Sequence, residues 1–385
     1  MNTVSITDHF DSGNITVIDA THPNDIQLAI KPDNASDFFQ WFYFRLDGEV
    51  GQRYRIRIVN AGQSSFAEGW QDYSVCTSYD RQHWFRTATD YRDGELSFDI
   101  TLQHSQVEFA YFVPYSEQRH LDLIARAQMH PAVQHCTLGK SLDGRAISLL
   151  RVSACEQAQH KVWIIARQHP GETMAEWFME GLLEALLDRH NPSAWQLLQN
   201  TAFYLVPNMN PDGSVRGNLR TNAAGANLNR EWQSPSMETS PEVFLVREKM
   251  LAEGGDLFLD IHGDEVIPYN FVAGCEGNPG YNDRHKNLED CFKTAYRQAN
   301  PDFQCEQGYP KSAPGQGNMT VATNWLGEQF STLAFTIEMP FKDNNELPNR
   351  ESGWSPERSA QLGRDVLVPV RSVLALVENN RQHSS

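Results

Sequence analysis

His169 and Glu172 stand three residues apart in the stretch His169-Pro170-Gly171-Glu172, just after the apolar run Val162-Trp163-Ile164-Ile165-Ala166. That run is short and partly β-branched, so it reads as a buried strand. Pro170 and Gly171 then turn the chain, and Thr173 to His190 reads as a helix. An imidazole and a carboxylate at the carboxyl end of a strand occupy the place where open α/β sheets put ligands. A borderline-soft ion such as zinc takes these two donor types, and a catalytic zinc keeps one position open. Two donors do not hold such an ion, so a third is required downstream. Leu257-Phe258-Leu259-Asp260-Ile261-His262 supplies it, again a histidine closing an apolar run. Leu333-Ala334-Phe335-Thr336-Ile337-Glu338 ends on a carboxylate in the same way, a candidate general base. The HxxE spacing alone is a weak signal. Three polar residues, each closing an apolar run, are a more specific one.

These side chains need a scaffold, and 385 residues are enough for two domains and a large core. Up to about residue 114 the chain reads as all-β. Trp41 to Leu46 is a strand followed by the turn signal Asp47-Gly48. Arg53 to Ile58 alternates Tyr54, Ile56 and Ile58 with three arginines, a stripe read as a solvated sheet face rather than an anion site. Leu96, Phe98, Ile100 and Leu102 repeat the pattern, as do Val107, Phe109, Tyr111 and Val113. Short alternating strands between turn signals predict a sandwich.

Pro114 to Glu117 marks the expected boundary, giving domains 1–114 and 115–385. A short helix is expected at Leu121 to Ala127, then a hairpin turning at Asp143-Gly144. Alternating strands and helices from Val162 onward predict an α/β domain. Met174, Trp177, Phe178, Gly181, Leu182, Ala185 and Leu186 share one helical face, which is core and clamps Glu172 at the first turn. Pro207 to Gly213 reads as a loop, Arg216 to Arg230 as a polar loop, and Pro241 to Leu251 and Asn287 to Gln298 as helices. The loop Gly308 to Asn318 either walls the site or is ordinary surface. A final packing helix is expected over Ser355 to Asn379.

A net charge of -17 disfavours nucleic acid and strongly acidic polypeptides as partners. No run approaches membrane-spanning length. The first ten residues lack the basic start and apolar core of a secretory signal. Six scattered cysteines without CxxC fit a reducing cytoplasm, as buried small residues rather than ligands or bridges.

Taken together, the motifs resemble the M14 zinc carboxypeptidases, and within them the cytosolic carboxypeptidase subfamily. The matching stretches are HPGE (169–172), NPDG (210–213), GNLR (217–220), NLNREW (227–232), DIHG (260–263) and FTIEMPF (335–341). They span the second domain in the family's order. The β domain, with WFYFRL and the aromatic-rich segment to Trp84, resembles the one preceding the catalytic domain in this subfamily. The resemblance implies a two-domain fold: an antiparallel β-sandwich, then an α/β carboxypeptidase domain with a central mixed sheet flanked by helices. It implies one Zn2+ per chain on His169, Glu172 and His262, with Glu338 as general base and acid. It gives Arg220 the oxyanion, and Asn229 and Arg230 the substrate's terminal carboxylate.

Two positions depart from the family. Asn227 stands where an aspartate commonly orients the first zinc histidine. An amide oxygen accepts the imidazole N–H without charge, leaving that ligand less basic. A mobile tyrosine covers the substrate in digestive members, and Tyr309 is the nearest counterpart. The implied function is hydrolysis of the last peptide bond of a peptide or protein. Two alternatives stay open: a zinc amidohydrolase acting on small N-acyl amino acids, and a non-catalytic binding module. Lys311 is a candidate for an acidic side chain, whereas Asp264 and Glu265 favour basic groups. Overall repulsion predicts low activity on long acidic tails.

Overall fold

The computed structural model describes residues 4–382; the expected domains' extreme ends, 1–3 and 383–385, lie outside the described residues. Alternation in the first part of the chain pairs into ten strands. They are β1 (Ser5–Thr7), β2 (Thr16–Asp19), β3 (Ile26–Ala29), β4 (Tyr43–Asp47), β5 (Arg53–Ile58), β6 (Val75–Ser78), β7 (Trp84–Thr87), β8 (Thr89–Arg92), β9 (Glu95–Thr101) and β10 (Gln106–Ala110). Two five-stranded sheets result, ordered β1-β4-β10-β6-β7 and β2-β3-β5-β9-β8. Pairing is antiparallel apart from the parallel pair β3/β5. Tyr54, Ile56 and Ile58 pair with Ile100, Phe98 and Leu96, all buried. The arginine stripe on the other face is met by carboxylates: Arg53 and Arg55 approach Asp99, and Arg57 pairs with Asp25 and Glu95.

The second part opens with α1 (Glu117–Ala127) and builds a seven-stranded sheet. Its strands are β11 (Val133–Lys140), β12 (Ala146–Val152), β13 (His160–Ala166), β14 (Thr201–Val206), β15 (Leu257–Asp264), β16 (Phe271–Ala273) and β17 (Leu333–Pro340), in the order β11-β12-β14-β13-β15-β17-β16. The four central strands run parallel and the flanking pairs antiparallel, so the sheet is mixed. The remaining α-helices among the described residues are α2 (Met174–Leu187), α3 (Pro192–Leu198), α4 (Pro211–Arg216), α5 (Pro241–Glu253), α6 (Asp283–Ala299), α7 (Ala322–Phe330), α8 (Pro356–Asp365) and α9 (Leu367–Gln382). They cover both faces. Val162, Ile164 and Ala166 of β13 join a core with α2, α6, α8 and α9, while Trp163 and Ile165 join another with α5 and α7. Period-2 alternation along one strand thus feeds two cores. The first core continues into the β-sheets, where Tyr111 stacks on Phe341 at 4.5 Å between ring centroids.

Several expectations are corrected. α2 begins at Met174, so Glu172 precedes the helix instead of lying in its first turn. Its burial extends beyond one face: Glu176 and Glu180 are also buried, matched by Arg167 and His120, and by Arg119 and Tyr115. Gly181 permits this enclosure, since a Cβ there would lie 2.0 Å from the Ala360 carbonyl oxygen of α8. The stretch 207–213 is not all loop: Pro211 opens α4, capped by the Asn210 side chain accepting from the Gly213 N–H. The final helix is two helices breaking at Val366. Pro369 lacks the N–H that would continue the ladder to the Asp365 carbonyl. Among the cysteines, Cys76 and Cys275 are buried, but Cys136 and Cys305 are exposed; all six are free.

Candidate active site

The turn after β13 is strained and braced. Arg167 has φ +59°, is buried, and donates to the Pro170 carbonyl at 2.9 Å and to Glu176 at 2.7 Å. A left-handed residue held by charge and hydrogen bonds fits a site whose geometry is over-determined. It delivers His169 and Glu172 to the sheet edge. Glu172 then sits between two imidazoles: its Oε1 lies 2.7 Å from Nδ1 of His169, and its Oε2 lies 2.8 Å from Nδ1 of His262. The ligating atoms of the three residues all lie within 4.8 Å of one another, and all three residues are buried. Each imidazole has an acceptor behind it. Nε2 of His169 is 3.0 Å from Oδ1 of Asn227, and Nε2 of His262 is 2.8 Å from Oδ2 of Asp260. Those acceptors favour the proton on Nε2 and leave both Nδ1 lone pairs facing inward. Two imidazoles and one carboxylate, with a backed tautomer, suit a divalent ion of zinc's character.

The structure brings the other expected residues to the same place. A cavity of about 550 Å³ is lined by His169, Glu172, His262, Glu338, Arg220, Asn229 and Arg230. Glu338 is buried on β17, and its Oε1 accepts from the Tyr309 hydroxyl at 3.1 Å, while Oε2 has no partner among the described residues. The Tyr309 hydroxyl also donates to Asp264 at 2.6 Å, so the ring lies over the carboxylates. Asn229 is held by its Oδ1, which accepts from the Ala322 N–H at 2.9 Å, and Arg230 lies exposed at the rim. Gly308 to Ser312 line the cavity, so this loop does wall the site. Lys311, the candidate for an acidic side chain, pairs with Glu276 at 2.8 Å.

Arg220 differs from the rest. Its guanidinium lies 5.6 Å from the Phe38 ring centroid and 5.1 Å from that of Phe66, both from the β-sheet region. Its backbone N–H donates to Asp33 at 2.8 Å.

The charges are strongly coupled. Burial would raise Glu172, but the two imidazoles outweigh it and hold the carboxyl well below the usual range. Burial, with Arg220 adding, pushes His169 down to about 4. Burial also opposes protonation of His262, yet Asp260 and Glu172 outweigh it and hold that imidazole well above its ordinary value. Glu338 is pushed far up by burial, with Glu172 and Asp264 adding and His262 opposing.

Sequence reasoning placed Asn227 behind His169 but missed the residues behind His262. Gln168 donates to Asp260 at 2.6 Å and accepts from the Trp232 indole at 2.9 Å, forming a relay that fixes His262. Gln168 beside HPGE and Asp260 within DIHG were in view, but their long-range pairing was not. Asp33, Phe38 and Phe66 lie more than 150 residues from Arg220, and nothing in their spacing tied them to it. Glu265 lines the same cavity, and burial pushes its carboxyl up to about 8.

Residues 120–360 match the zinc carboxypeptidase family, and residues 6–112 match the cytosolic carboxypeptidase N-terminal domain. The chain belongs to the zinc carboxypeptidase family. This metallocarboxypeptidase is 49% identical to a metallo-carboxypeptidase from Pseudomonas aeruginosa, solved in complex with (2-guanidinoethylmercapto)succinic acid. The two superpose with a TM-score of 0.95 over 96% of this chain and 99% of that one. A metallo-carboxypeptidase from Burkholderia cenocepacia is 46% identical, with a TM-score of 0.95 over 97% and 100% of the two chains. Cytosolic carboxypeptidase 1 of Homo sapiens is 31% identical over 316 residues, which are 69% of this chain and 26% of that protein. The carboxypeptidase therefore spans about a quarter of that relative. Among its described residues no helix is long and apolar enough to cross a membrane.

Proposed function

We propose that this carboxypeptidase removes the C-terminal residue of peptides or proteins with one Zn2+ per chain, held by His169, Glu172 and His262. When bound, such an ion supplies Lewis acidity and water made acidic enough to ionise near neutral pH. Glu338 takes the proton from the attacking water and returns it to the leaving amine. The Arg220 guanidinium donates to the oxygen that becomes anionic as the carbonyl turns tetrahedral. Arg230 and the Asn229 side chain grip the terminal carboxylate, which measures the distance from chain end to scissile bond. Tyr309 lies where it can close over the substrate. Segments 1–114 and 115–385 form the two domains, and the cytoplasm is the site of action, in keeping with the family names.

The observation carrying this reading is the convergence of seven residues, from five separate stretches of chain, on one cavity. The test is a panel of peptides differing in the C-terminal residue, with the released amino acid identified by mass spectrometry. Release of single C-terminal residues supports the reading. Hydrolysis confined to N-acyl amino acids would favour an amidohydrolase, and no turnover by zinc-loaded protein a binding role.

A further inference from the structure

The N-terminal domain reaches the active-site cavity through Phe66 and holds Arg220 there. Three consecutive backbone N–H groups converge on one buried carboxylate: Leu219 at 2.6 Å, Arg220 at 2.8 Å and Thr221 at 2.9 Å from Asp33, with the Thr221 hydroxyl at 3.0 Å. The same stretch is gripped on both sides. Asn14 donates to the Gly217 carbonyl at 2.9 Å, Asn34 to that of Ala223 at 2.7 Å, and the Ser12 N–H to that of Val215 at 3.0 Å. The Arg220 side chain is held differently. It packs against the Phe38 and Phe66 rings, and among the described residues no acceptor takes its guanidinium N–H groups. A ring face attracts a cation without occupying its donors. A carboxylate partner would have consumed them.

The two rings are tied together. The Asp33 N–H donates to the Phe38 carbonyl at 2.8 Å, closing the loop that carries both residues. The buried Gln40 side chain accepts from the Phe66 N–H at 2.8 Å and donates to the Phe66 carbonyl at 3.1 Å. Ser65 exchanges hydrogen bonds with Phe39 at 2.9 and 3.0 Å. Backbone anchor and ring cradle are thus one rigid unit.

We propose that Asp33, Phe38 and Phe66 are positioning residues for the reaction: the N-terminal domain preorganises Arg220, fixed in place with its donors free, for the charge that develops in the transition state. This rests on the reading of Arg220 given under the proposed function. An unpaired, immobile donor is what transition-state stabilisation requires, because no reorganisation is then needed as charge appears. Such a device lowers the barrier without tightening ground-state binding, so its loss falls on kcat.

The experiment uses the full zinc-loaded chain and a blocked dipeptide substrate. Arg220→Ala tests the underlying reading and should lose about 10²–10³-fold in kcat. Phe38→Leu, Phe66→Leu and Asp33→Asn test the inference. Each should lose about tenfold in kcat with KM within about threefold. Free guanidinium should restore activity to Arg220→Ala, and should half-saturate at higher concentration when Phe66→Leu is added. The leucine variants carry the test if Asp33→Asn does not fold. Near-native kcat in the folded positioning variants, alongside the large loss in Arg220→Ala, overturns the inference and leaves the reading intact. Near-native kcat in Arg220→Ala overturns the reading, and the inference with it.

Discussion

His262 and Glu338 are register partners on the adjacent parallel strands β15 and β17. Their separation is therefore set by the backbone ladder of the sheet, not by a loop. Glu338→Gln keeps the shape and the Tyr309 contact but removes the proton acceptor. The expected outcome is a loss of about 10²–10⁴-fold in kcat, with zinc content per chain unchanged. Steady-state kinetics and metal analysis on the same sample check it. Loss of zinc alongside activity would instead assign Glu338 to the metal.

The Asn227 amide backs His169 where a charged carboxylate would make the imidazole more basic. Asn227→Asp should tighten zinc by about 10–100-fold. Competition with a chromogenic chelator measures this directly. Unchanged or weakened affinity would mean that Asn227 does not orient the ligand through its oxygen.

Glu242 at the start of α5 is buried, and its Oε1 has no partner among the described residues. Burial pushes its carboxyl from 4.5 up to about 7. Between those values the folded chain binds more protons than the unfolded chain, so this group costs stability as pH rises. The cost is absent below about pH 4.5 and complete above about pH 7. Glu242→Gln should raise the urea midpoint at pH 8, with a ceiling on the order of 3 kcal/mol, and leave it unchanged near pH 4. An equal gain at both pH values would trace the effect to packing.

The net charge of -17 opposes approach of acidic substrates. At low salt, polyglutamate should be turned over more slowly than a neutral peptide, and added salt should narrow the gap by screening. Comparable rates at low salt would mean that local cations at the site, Lys311 among them, outweigh the field of the whole chain.

The sequence made the strands and the metal-side residues legible because both depend on local pattern. Val162 to Ala166 and Leu333 to Ile337 are apolar runs of strand length, and His169 and Glu338 follow them at the strand ends. Helix ends were harder. The break at Val366 depends on one proline's missing N–H, and the short helix α4 depends on a cap and a proline at N1. The Asp33 anchor and the phenylalanine cradle were illegible because they act across more than 150 residues, where spacing carries no information. Likewise the burial of Glu176 and Glu180 follows from cations on other elements, which a helical wheel does not contain.

The most direct measurement compares a peptide carrying a free C-terminus with the same peptide as its C-terminal amide. Zinc-loaded and chelator-stripped protein are each tested, and products are read by mass spectrometry. The expected result is release of the last residue from the free-acid peptide by the zinc-loaded protein alone, with recovery when zinc is returned. Undiminished release by fully stripped protein would contradict the assignment of His169, Glu172 and His262 as the centre of the site.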